Sequence, residues 1–217
     1  MNTITKRIIT ALILATVATS IYIFAPAWVL SALLVAIVVI IFTYEWPQFF
    51  AVDSWDYWLV GGTYIIVPFG FMIYLNQTPQ YRALFALALL LVAAHDTGSY
   101  FFGKWLGKRI ILPHISPRKT WEGFVGGCIT ACAVFVLYCN YNQLSVPWLS
   151  GLLLVLKICY IALIGDLFES WLKRSSGLKD SGTLLPGHGG FLDRFDALMF
   201  VIIYVFIMKD YIVTILG

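Results

Sequence analysis

Charge is scarce in this chain. Asp, Glu, Lys and Arg together make up 12% of its 217 residues, far below the roughly 25% of a soluble domain. The net charge of +3 is too small a total to suggest a nucleic-acid partner, and none is expected. Histidine is rarer still, with three residues. The four cysteines, Cys128, Cys132, Cys139 and Cys159, fall in apolar runs and form no CxxC pair. They read as small apolar helix residues rather than as metal or disulfide partners. No internal repeat and no low-complexity tract is present. Short segments of alternating polarity, the mark of a transmembrane barrel, are missing too.

What remains is oil. Hydrophobic residues reach 61% and the mean hydropathy is +0.88, and several apolar runs approach the ~20 residues that cross a bilayer. The expected fold is all-α: one integral-membrane domain, 1–217, built as a polytopic bundle of about seven transmembrane helices. The spans are expected near Ile8–Phe24, Trp28–Tyr44, Trp58–Tyr74, Tyr81–Gly103, Trp121–Asn140, Trp148–Trp171 and Arg194–Leu216. The first run is read as an uncleaved span rather than a signal peptide cut near Ala25-Pro26-Ala27. Two long links carry most of the positive charge: Lys104, Lys108, Arg109, Arg118 and Lys119 in one, Lys173, Arg174 and Lys179 in the other. With Lys6 and Arg7, the positive-inside rule puts the N-terminus and both links in the cytoplasm and the C-terminus opposite.

The charged residues are not scattered. Asp166, Glu169, Ser170, Lys173 and Arg174 are spaced to share one face of a helix. Glu169 and Lys173 can pair along that helix, but Asp166 lies a turn deeper. An ionisable group at mid-membrane costs roughly 2.5–3.5 kcal/mol, so such groups face a wet cavity or a partner. Asp193 and Asp196 open the last span, where acidic residues also suit the helix dipole. If Asp166 and Asp193 converge, they need a cation between them. Hard oxygens with few histidines point to Mg²⁺. The intervening stretch holds Lys179, Asp180, His188, Gly189 and Gly190, with Arg194 beyond; glycine-rich backbone of this kind can cradle phosphate.

A second cluster lies upstream. Ser116 and Pro117 read as the cap and first residue of a helix. That would place Arg118 and Lys119 in its first turn, where cations are unfavourable unless an anion docks. Gly123 and Gly127 read as a helix-packing pair. Asp96, Ser99, Tyr100 and Gly103 share a face at the end of the fourth span. Lys157 receives no role. These elements together point to metal-assisted phosphate chemistry on a substrate that enters from the membrane.

The stretch Ser170–Asp196 also resembles the signature of the phosphatidate cytidylyltransferases, or CDP-diacylglycerol synthases. The matching residues are Ser170, Lys173-Arg174, Lys179-Asp180, Gly182, Pro186, His188-Gly189-Gly190, Asp193-Arg194 and Asp196. Gly165-Asp166-Leu167 with Glu169, Asp96-Thr97-Gly98-Ser99-Tyr100-Phe101 and Ile115 through Gly123 are similar to that family as well. The resemblance implies the reaction of CTP with phosphatidate to give CDP-diacylglycerol and pyrophosphate, in a homodimeric enzyme of a bacterial-type inner membrane with a cytoplasm-facing cavity. It implies metal carboxylates at Asp166 and Asp193, with Mg²⁺ and a second cation such as K⁺ as candidates. Catalytic roles would fall to Asp166, Asp193, Lys173, Arg174, Lys179, Asp180, His188 and Arg194. Substrate contacts would fall to Asp96, Ser116, Arg118, Lys119, Glu169, Ser170, Gly189, Gly190 and Asp196. Members of that family are usually longer, so 1–95 is read as a reduced N-terminal span region and 96–217 as the catalytic region. The competing readings are a CTP-dependent kinase of a polyisoprenoid alcohol and a transporter or channel. Charge gathered towards one membrane face disfavours the latter.

Overall fold

The computed structural model describes residues 16–178, 181–182, 184 and 189–217. Helix α1 is described over 16–24, and the remainder of the expected first span, with Lys6 and Arg7, lies outside the described residues. The helices that follow are α2 (Ala27–Gln48), α3 (Trp55–Gln77), α4 (Pro79–Leu106), α5 (Trp121–Tyr141) and α6 (Trp148–Ser175). Each is long and apolar enough to cross a membrane. The last apolar stretch, expected to be one span over Arg194–Leu216, is two helices, α7 (Leu192–Ile207) and α8 (Lys209–Leu216), bent by 79° at the break. Among the described residues there are therefore five candidate spans, or six if the bent pair counts as one.

The chain divides into two compact units. The first comprises Met1–Pro79 and Leu172–Phe195. In it, Ala27–Ile40 packs along Val67–Gln77. Asn76 donates to the Ala27 carbonyl at 2.7 Å and to Ser31 Oγ at 3.0 Å, and Gln77 Nε2 reaches the same hydroxyl at 3.0 Å. These bonds answer the need of polar side chains buried in apolar surroundings. Two π-helical turns interrupt the helices, Ile41–Glu45 and Gly62–Ile66. Tyr57 donates its hydroxyl to the Phe42 carbonyl at 2.7 Å, and Trp46 donates its indole N–H to the Tyr57 carbonyl at 2.9 Å. Gly61 makes room for that indole, since a Cβ there would lie 2.7 Å from Trp46 Nε1. The wide turn ends on Glu45, whose side chain is wholly buried.

The second unit comprises Gln80–Trp171 and Asp196–Gly217. Helices α4 and α5 approach closely because glycines line their contact: a Cβ on Gly123 would lie 2.8 Å from the Ser99 carbonyl oxygen, and one on Gly127 2.7 Å from that of His95. The Gly123/Gly127 pair thus packs helices, as its spacing predicts. Between α4 and α5 runs a small antiparallel hairpin, β1 (Ile110–Leu112) with β2 (Ser116–Thr120), pairing Ile110 with Thr120 and Leu112 with Ser116.

The hairpin corrects one expectation. Ser116 is not a helix cap, and Arg118 and Lys119 are not in a helical first turn. All three lie on β2, held extended by pairing with β1. The cap is Thr120, at φ −122° and ψ 153°, whose hydroxyl accepts the Gly123 N–H at 3.2 Å. The backbone of the link is tied down by Glu122, which accepts N–H bonds from Lys108 at 3.0 Å and Arg109 at 3.1 Å. Large apolar side chains remain exposed along the helices, among them Val39, Leu59, Val125, Ile129, Leu137 and Leu153. In water such a surface would aggregate; in a bilayer it faces acyl chains.

Candidate active site

In the first unit, two carboxylates organise the approach to α7. Asp193 sits in the first turn of that helix. Its Oδ1 accepts Lys173 Nζ at 2.7 Å. Its Oδ2 accepts the Ser181 hydroxyl at 2.9 Å, the Ser181 N–H at 3.1 Å and the Gly190 N–H at 2.9 Å. Glu45 completes the set from α2. Its Oε1 accepts the Phe191 N–H at 2.7 Å, and its Oε2 accepts the Leu192 N–H at 2.8 Å and faces Ser181 Oγ at 3.5 Å. The first N–H groups of a helix have no partner within it, and here side-chain anions take them, where the helix dipole favours negative charge.

The glycines fit between these anions. Gly189 has φ +79°, and a side chain there would strike the Asp193 carboxylate. A Cβ on Gly190 would lie 2.6 Å from the Glu45 carboxylate. The backbone donors described in this stretch therefore face the chain's own carboxylates. Arg174 is exposed, and its guanidinium donates to the Leu178 carbonyl at 3.0 Å. Arg194 is exposed as well. Lys179, Asp180 and His188 lie outside the described residues.

In the second unit, a cavity of about 230 Å³ opens beside the hairpin. It is lined by Asp96, Ser99 and Tyr100 of α4, Arg118 and Lys119 of β2, and Asp166 of α6, with His95 and Gly123 among its other walls. Residues from three distant parts of the chain meet here. Lys119 Nζ lies 2.5 Å from Asp166 Oδ2, with the two side chains 27% and 18% exposed. Asp96 is half-exposed, and its Oδ1 is 3.4 Å from His95 Nδ1. Asp196 of α7 is in side-chain contact with Asp166, with Glu169 close enough to act on its charge. Glu169 is buried and Ser170 half-buried. Gly165 lets α7 come close, since a Cβ there would lie 2.7 Å from the Asp196 carbonyl oxygen. Ser116, at the start of β2, is not among the cavity's lining residues.

Asp193 thus belongs to the first unit and Asp166 to the second. Each is a hard-oxygen donor that already presents one oxygen to a lysine ammonium, which is the chemistry a magnesium ion also seeks. Glu45 is the buried anchor of this cluster that sequence reasoning passed over. Its one local signal, a glutamate closing an apolar run, marks a candidate for buried work but does not name its partners.

The cytidylyltransferase family profile matches residues 51–212. The chain belongs to the cytidylyltransferase family. Curated relatives agree. The phosphatidate cytidylyltransferase of Bacillus subtilis (strain 168) is 36% identical over 178 residues, covering 82% of this chain and 66% of that protein. That of Staphylococcus aureus (strain COL) is 44% identical over 138 residues, covering 63% and 52%. That of Staphylococcus saprophyticus is 44% identical over 137 residues, with the same coverage. The matched stretch thus spans about half to two thirds of these relatives' own length. The family match encloses every site residue from Asp96 to Asp196 and leaves Glu45 outside it.

Proposed function

We propose that the protein transfers a cytidylyl group from CTP to phosphatidate, giving CDP-diacylglycerol and pyrophosphate. What supports this reading most is that the family match encloses both the cavity of the second unit and the Asp193 cluster of the first. A phosphatidate oxygen would attack the α-phosphorus of CTP, forming one P–O bond as the bond to the bridging oxygen of the leaving pyrophosphate breaks. Negative charge grows on the oxygens around phosphorus, so fixed cations are the natural catalysts. Arg118 and Lys119 stand in the cavity wall and are assigned to CTP or lipid phosphate. Lys173, Arg174, Lys179 and Arg194 are assigned phosphate roles as well. Asp180 and His188 are assigned to ordering the loop or moving a proton.

Asp166 and Asp193 are the carboxylates proposed to hold Mg²⁺, which when bound offsets phosphate charge and fixes the reacting groups in line. A second cation such as K⁺ belongs to the same reading. Asp96, Glu169, Ser170, Gly189, Gly190 and Asp196 are assigned to shaping the substrate site. The basic links support a cytoplasmic site and N-terminus with the C-terminus opposite, and the family resemblance supports a homodimer. The decisive experiment gives the purified full chain CTP, Mg²⁺ and phosphatidate. Release of pyrophosphate with a cytidylylated lipid is expected. Release of CDP with a lipid alcohol as acceptor would instead make it a lipid kinase.

A further inference from the structure

Three side chains of the second unit meet behind the wall of its cavity, with donors softer than the carboxylates that line it. His95 of α4, Cys128 of α5 and Cys159 of α6 place one potential ligand atom each, a ring nitrogen and two sulfurs, all within 4.8 Å of one another. They are 2%, 8% and 0% exposed. Both thiols are free. Gly127 admits this approach. A Cβ there would lie 2.8 Å from His95 Cδ2, so the Cδ2–Nε2 edge of the imidazole faces α5 beside Cys128. The other nitrogen, Nδ1, faces the Asp96 carboxylate at 3.4 Å. A carboxylate behind one imidazole nitrogen is the arrangement that orients a metal-bound histidine through the other. The ring's contacts to Asp96 and to Ser99 Oγ are both 3.4 Å, long for hydrogen bonds.

We propose that His95, Cys128 and Cys159 form a binding site for a thiophilic divalent cation of the Zn²⁺ class. The donor set of one imidazole and two thiolates is soft, and it selects such ions over Mg²⁺. Bonds of about 2.3 Å to sulfur and 2.0 Å to nitrogen put tetrahedral ligands roughly 3.5–3.8 Å apart, so the three atoms need close by only about 1 Å. Charge balances as well. Each thiol gives up one proton on binding, and a dication with two thiolates and a neutral imidazole carries no net charge, which suits burial between apolar helices. His95 also lines the cavity of the second unit. That contact supplies an entry path, and the open fourth position takes water.

The test uses the detergent-solubilised full chain, reduced and stripped of metal, titrated with Co²⁺ as a spectroscopic stand-in. One cobalt per chain is expected, with thiolate-to-cobalt charge-transfer absorption and the d–d bands of a tetrahedral ion. Zn²⁺ should displace it and millimolar Mg²⁺ should not. Cys128→Ser or Cys159→Ser should each weaken binding by at least about tenfold, and Cys132→Ser and Cys139→Ser should leave it unchanged. X-ray absorption of the zinc-loaded wild-type chain needs no variant and should show two sulfurs and one nitrogen. Absence of the cobalt bands in folded, reduced protein, an oxygen-only shell, or full binding by the Cys128→Ser/Cys159→Ser double variant would overturn the site. So would recovery of the two cysteines as a disulfide under the same reducing conditions. None of these readouts depends on whether CTP is turned over.

Discussion

Asp193 carries two duties at once. It is a proposed metal ligand, and it already accepts Lys173, Ser181 and Gly190. Asp193→Asn keeps the size but turns one acceptor into a donor facing donors. Turnover is expected to vanish, and the loop before α7 should also loosen, visible as faster amide exchange at Gly190. Asp166→Asn should likewise abolish pyrophosphate release without that loosening. Residual activity near the wild-type level in both variants would remove the two-carboxylate reading. Glu45 separates structure from chemistry. Glu45→Gln leaves a buried N–H without an acceptor, a change that costs about 1–3 kcal/mol. A lowered unfolding temperature in detergent, with lipid and CTP specificity intact, is the expected result. Asp166 and Asp193 were legible as site candidates from spacing and resemblance. Glu45 was not, because its partners Phe191 and Leu192 lie 146 and 147 positions away and no local pattern announces such a bond.

At the scale of elements, helices announced themselves and their ends did not. Apolar runs of span length located α2 to α6, because the bilayer demands length and oiliness above all. The hairpin was invisible for the opposite reason. Ser116-Pro117 has the local grammar of a helix start, and pairing with Ile110 and Leu112 overrides it. Lys119 meets Asp166 from a strand, and α5 takes its cap from Thr120. Thr120→Ala should therefore destabilise the chain by about 1 kcal/mol, whereas Ser116→Ala should leave helix stability unmoved; thermal unfolding of the pair checks this. The bend between α7 and α8 was also missed, although Lys209 and Asp210 interrupt the apolar run there. Asp210 accepts the Tyr81 hydroxyl, a contact with α4 that only the folded chain reveals. Gly127→Leu should prevent the close contact of α4 and α5 and yield little folded protein, since the first added carbon already lies 2.7 Å from the His95 carbonyl oxygen.

For the whole molecule, the chemistry proposed here is cation chemistry in a low-charge chain. Removing divalent ions with a chelator should stop pyrophosphate release, and Mg²⁺ should restore it. Restoration by Zn²⁺ in place of Mg²⁺ would contradict the hard-oxygen assignment of Asp166 and Asp193. The membrane character explains why so much was readable beforehand: with 12% charged residues, each carboxylate outside a turn already asks for an explanation. Two of the pairings were not readable, since Lys119 meets Asp166 and Lys173 meets Asp193 from distant parts of the chain.

The reach of Glu45 has a consequence for how this molecule can be divided. The segment by which its kinship is recognised begins at residue 51, six positions after the glutamate that holds Phe191 and Leu192. A fragment starting there would still be recognisable in full and yet lack an anchor for the start of α7. Recognisability and self-sufficiency therefore have different borders in this chain. Supplying the missing helix as a separate peptide would amount to returning a keystone.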